Sequence, residues 1–125
     1  MDLHIDHRWL LAQQEKLLGK DLQVHDYSPL VAAVARHRVN TPRWDVDDPD
    51  AYWRAAALLH TIVLLRPLPA RNEFFAYGVA VAYIAASGAT VLAAEQQWVA
   101  LIEDVKALRV DSFDIADRLR SWRAA

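Results

Sequence analysis

The sequence predicts an all-α fold: one domain over residues 1–125, built as a bundle of about six helices with two buried helices at its centre. Three observations carry this. Only 3 Gly and 5 Pro punctuate 125 residues, and most of them fall between runs of helix-forming residues. Apolar residues recur at three- and four-residue spacing along most of the chain. Two long segments are apolar almost all round, and a helix without a polar face belongs inside a bundle.

Asp6 can cap a first helix that carries Trp9, Leu10, Leu17 and Leu18 at helical spacing and stops at Gly19. Asp26 or Ser28 can cap a second, with Pro29 in its tolerated first turn. Leu30, Val31 and Val34 form its apolar stripe, and Arg36, His37 and Arg38 end it. Residues Val39 to Pro49 form the first long connection, crowded with the carboxylates of Asp45, Asp47, Asp48 and Asp50. These acids lack the alternate spacing and central glycine of a calcium loop, so they are expected to be solvated, the last of them capping the next helix.

A third helix is expected from about Asp50 to Leu65 and a fourth from about Pro69 to Ser87, with Gly88 as its left-handed stop. These are the two segments without a polar face. Thr90, Val91 and Leu92 can form a short extended piece. A fifth helix, about Ala94 to Leu108, sets Trp98, Leu101, Ile102, Val105 and Leu108 on one face. Ser112 is expected to cap a last helix that turns Phe113, Ile115, Ala116, Leu119 and Trp122 inward.

Composition excludes several function classes. The absence of cysteine removes disulfides, thiolate catalysis and cysteine-ligated metal. A net charge of −2 does not supply a basic nucleic-acid footprint. The longest apolar run, Ala55 to Leu65, is 11 residues and contains His60, whereas a membrane-spanning helix needs about 20. The start of the chain lacks a basic-then-apolar leader, and a cytoplasmic location is expected.

The informative place is the break at residues 66–72. A short loop feeding the N-terminus of a buried helix directs free N–H groups and a positive dipole end at one spot. Arg66, Arg71 and Asn72 border it, an expected weak anion site in competition with Arg71 filling the loop itself. Around it, Arg66-Pro67-Leu68-Pro69-Ala70-Arg71-Asn72-Glu73-Phe74 and the apolar run to Gly88 match, without a gap, the spacing of the motif His-Pro-Phe-x-Asp/Glu-Gly-Asn-Lys/Gly-Arg and its following helix. In this the chain resembles the Fic/Doc family, and its length and last helix resemble the short, Doc-like toxin components of toxin–antitoxin systems.

That resemblance implies a Fic/Doc-like bundle, a small antitoxin as partner, a protein target in the translation machinery, and AMP or phosphate transfer from ATP with Mg²⁺. The residues depart from the motif at five roles. Arg66 replaces the motif His, and a protonated guanidinium cannot act as a base. Ala70 replaces the acidic Mg²⁺ ligand, Arg71 the glycine of the phosphate nest, Glu73 the Lys/Gly, and Phe74 (expected to turn to the core) the phosphate-binding Arg. Arg66 and Asn72 are therefore the only motif-equivalent candidates for catalysis, and neither a cofactor nor a metal is expected unless the altered motif is active. Two alternatives stand beside the toxin reading: an inactive Fic-fold binding protein, and an unrelated helical interaction module.

Outside the loop, His60 is expected to be a core histidine with a hydrogen-bonded ring, and His4, His7, His25 and His37, near helix ends, to be at the surface. Among the tryptophans, Trp44 alone sits in the acidic connection, where the resemblance implies a target-holding flap.

Overall fold

The computed structural model describes residues 3–20, 22–40 and 49–123, and these contain six helices. They are α1 (His7–Leu18), α2 (Ser28–His37), α3 (Ala51–Leu65), α4 (Asn72–Ala86), α5 (Glu95–Lys106) and α6 (Ser112–Ser121). The described residues hold no strand, and Thr90 to Leu92 are not one; there the Leu92 N–H donates to the Trp122 carbonyl at 2.7 Å.

Local chemistry sets the helix ends. Asp6 Oδ1 accepts the Trp9 N–H at 3.0 Å, and Gly19 closes α1 at φ 76°. Asp26 accepts from Ser28 N–H ahead of α2. The cap of α6 is Asp111, one residue earlier than expected: Asp111 Oδ1 accepts from Asp114 N–H, and Asp114 Oδ2 accepts from Asp111 N–H. Ser112 is instead the first helical residue. Leu108 also departs from expectation. It has φ 61°, lies beyond the end of α5 and is 74% exposed.

The apolar pattern of α3 has the predicted consequence: it packs against α2, α4, α5 and α6, and eleven of its fifteen residues are buried. The helix α4 lies on it, covered in turn by α1. At Gly78 the Leu17 side chain of α1 occupies the space a Cβ would take, so a larger residue there would require Leu17 to turn away. On α2, Leu30 and Ala33 face inward, but Val31, placed on the same stripe in the sequence reading, is 60% exposed.

Asp50 joins two ends of the bundle. Its Oδ1 accepts the Trp53 N–H at 2.8 Å, and Arg120 at the end of α6 donates to both of its oxygens at 2.6 and 2.9 Å. Burial raises the Asp50 pKa, but the Arg120 and Trp53 hydrogen bonds outweigh it and hold the carboxyl below its usual range. Asp50→Ala is expected to cost about 1–2 kcal/mol, the sum of a lost cap and a partly exposed ion pair. Asp50→Asn keeps the cap and should cost less than half of that in urea denaturation.

The N-terminal segment is latched to His37, which is fully buried, contrary to its expected surface position. Its Nε2 accepts the Ile5 N–H at 3.0 Å, which places the ring proton on Nδ1, facing the Val34 carbonyl. Arg38 donates twice to the Ile5 carbonyl, and the Tyr83 hydroxyl donates to that of Leu3. Arg54, from the first turn of α3, is buried beside this latch and donates to the His37 carbonyl and to Asn40 Oδ1.

Candidate functional site

The connection between α3 and α4 is the site the sequence singles out. Both of its ends are arginines in the left-handed region, Arg66 at φ 50° and Arg71 at φ 61°. Arg66 N–H bonds back to Ile62 O, ending α3, and the Pro67 carbonyl accepts from His25 N–H at 3.0 Å, pinning the loop to the segment before α2. Asn72 is fully buried and spends its whole amide on one residue: Oδ1 accepts the Leu68 N–H at 2.9 Å, and Nδ2 donates to the Leu68 carbonyl at 2.8 Å. Only an amide side chain sets an acceptor beside a donor in this way. The clasp fixes residues 68–72 as a turn, which is why α4 starts at Asn72 rather than Pro69.

The three residues of the expected anion site, Arg66, Arg71 and Asn72, have different partners in the structure. Arg66 Nη1 donates to Glu73 Oε1 at 2.8 Å, and Lys106 Nζ lies 3.5 Å from the same oxygen. Arg66, first of all, and then Glu73's own N–H and Lys106, hold the Glu73 carboxyl below its usual range against the effect of burial. The negative charge that favours a helix N-terminus is thus supplied by the helix itself. Arg71 does not fill the loop either. Its guanidinium lies 4.9 Å from the centroid of the Phe74 ring. Phe74, expected in the core, is 39% exposed, and Phe75 is the residue that turns inward. Of the three residues expected together, Asn72 is enclosed and the two arginines are directed to different partners.

A groove of about 440 Å³ starts at this loop and runs between α4 and α5. Phe74, Tyr77 and Trp98 line it, as do Val99 and Ile102, with the carboxylates of Glu73, Glu95 and Glu103 at its rim. Its aromatic rings touch in series: Phe74–Tyr77 at 6.0 Å, Tyr77–Trp98 at 5.0 Å and Trp98–Trp122 at 5.1 Å between centroids. The sequence reading missed this groove. The signal was Phe74 and Tyr77 three residues apart on one helix face, a pair that reads as core in a segment apolar all round.

His60 is half-buried, and its Nδ1 accepts from Arg36 Nη1 at 3.0 Å, matching the hydrogen-bonded ring expected of it. Burial first, then the Arg36 charge, lower its pKa. Arg36 also donates to Thr61 Oγ1, which in turn donates to Ala57 O, so this cluster is satisfied internally. His4, His7 and His25 are exposed. Trp44, Asp45, Asp47 and Asp48 lie outside the described residues. Among the described residues no three His, Asp or Glu side chains are grouped to hold a metal ion, and no helix is long and apolar enough to cross a membrane. Neither a family model nor a curated protein matches the chain.

Proposed function

We propose that the chain works by binding rather than by group transfer, as a Fic/Doc-like component of a toxin–antitoxin pair whose partner is a small antitoxin protein. The internal closure of the α3–α4 connection carries the first half of this reading. A nucleotide-transfer site needs a base, a metal ligand and open N–H donors at one place. Here the position of the base is Arg66, paired with Glu73; the position of the metal ligand is Ala70, which has no ligand atom; and the helix start is occupied by Glu73. The second half rests on the resemblance in sequence. The backbone supports it at one position: Arg71, where the motif has glycine, is at φ 61° and ψ 29°, a conformation glycine adopts at no cost. A cytoplasmic location and a target in the translation machinery belong to the same proposal.

Two measurements test it. Incubation of the purified chain with radiolabelled ATP, Mg²⁺ and cell lysate should give no labelled product. Label that is lost in Arg66→Ala, an exposed position whose replacement leaves the core intact, would overturn the binding reading. Expression of the chain without the gene beside its own should arrest growth, and Arg66→Ala should arrest it equally. Unimpaired growth would remove the toxin part of the proposal.

A further inference from the structure

The groove between α4 and α5 is open, and its two ends carry exposed charges of opposite sign that have no ionic partner among the described residues. At the α4 start, Arg66 and Lys106 pair with Glu73, and Lys106 also lies 3.6 Å from Glu103, so two cations and two carboxylates balance. This leaves Arg71, which stacks on Phe74 and has no ionic partner among the described residues. At the other end Glu95, in the first turn of α5, is exposed and likewise has none. The Lys106–Glu73 and Trp98–Tyr77 contacts run α5 antiparallel to α4, and the eleven residue steps from Glu95 to Lys106 separate the two ends by about 16 Å. Between them the groove is apolar, and Val99 projects from its edge with 53% exposure.

A surface that carries a hollow, an apolar projection and one free charge of each sign at opposite ends is complementary to itself under two-fold rotation. We propose that this face is an interface with a second copy of the chain. The two grooves lie antiparallel, Arg71 of each copy meets the partner subunit's Glu95, and Val99 of each enters the other's groove. A stable dimer needs about 800 Å² from each copy, roughly one ninth of the 6938 Å² surface of the chain. The proposal does not depend on the antitoxin reading, because it needs only this chain.

Sedimentation velocity on the purified full chain tests it. Twice the 14.2 kDa mass of one chain is expected at micromolar concentration. Arg71→Glu and Glu95→Arg should each weaken the dimer roughly ten-fold or more, because each change acts at two symmetric contacts. The double variant should recover it, since the reversed charges again meet opposite signs. Val99→Glu should give monomer. All three positions are exposed, and unchanged helical circular dichroism separates loss of association from loss of fold. A monomer at 100 µM (about the upper end of micromolar binding), a dimer indifferent to Val99→Glu, or no recovery in the double variant would each overturn the proposal.

Discussion

Asn72→Ala is expected to lower the unfolding free energy by about 2–4 kcal/mol, because it leaves the buried Leu68 N–H and carbonyl both without a partner. That is a large fraction of the stability of a small domain, which is typically about 5–15 kcal/mol. The loss should appear as a lower urea midpoint followed by tryptophan fluorescence. Asn72→Asp discriminates further: it retains an acceptor for Leu68 N–H but sets a buried carboxylate against Leu68 O, and should destabilise at least as much. A loss below about 0.5 kcal/mol, the level of an ordinary surface change, would mean that the turn is held by Pro67 and Pro69 rather than by the amide.

Acidification from pH 7 to pH 4 is expected to remove about 3 kcal/mol through His37 alone. Burial is the main cause of its low native pKa, about 4 against 6.5; the nearby Arg38, His4 and Arg54 add to it, against the hydrogen bond to Val34. From α4, the Tyr83 ring packs edge-on against the same imidazole. Between the two pKa values the unfolded chain binds a proton that the native chain does not, so stability is complete above about pH 6.5 and falls as the pH approaches 4. Protonation of Nε2 also deletes the acceptor of the Ile5 N–H, so the N-terminal latch should open first. His60, lowered in the same direction, contributes with the same sign below its ordinary value. The lowered carboxyls of Asp50 and Glu73 act only nearer their ordinary range around pH 4. His37→Gln should therefore be less stable at pH 7 yet lose less on acidification to pH 4.5. An equal pH slope in both proteins would assign the effect elsewhere.

The parts of the fold that rest on short-range chemistry were legible in the sequence. Asp6 and Asp50 cap the helices they precede, Gly19 and Gly88 stop the ones they follow, and the apolar segment ending at Leu65 is the hub of the bundle. What failed depended on partners distant in sequence or on a side chain folding back. His37 reads as a surface residue because it ends a helix, and it is buried by Ile5, 32 residues earlier. Pro69 reads as a good first helical residue, and the Asn72 clasp on Leu68 overrides it. Phe74 and Phe75 are indistinguishable as neighbours in an apolar run, and only the packing of α5 decides which faces out. Likewise, that Arg66, Arg71 and Asn72 crowd one loop was legible, whereas the pairing of Arg66 with Glu73 across the loop, and of Lys106 from α5 with the same carboxylate, is set by how the chain folds back.

The left-handed backbone at Arg71 bears on how this loop can change over generations. An L-residue there sits against its own Cβ at a cost of about 1 kcal/mol, which glycine does not incur. Replacement of arginine by glycine is therefore downhill for the main chain, while valine or isoleucine at the same place is steeply uphill. Drift at this position is asymmetric, with glycine always within easy reach. A change at 71 therefore alters the side chain presented at the start of α4 while the main chain keeps its path.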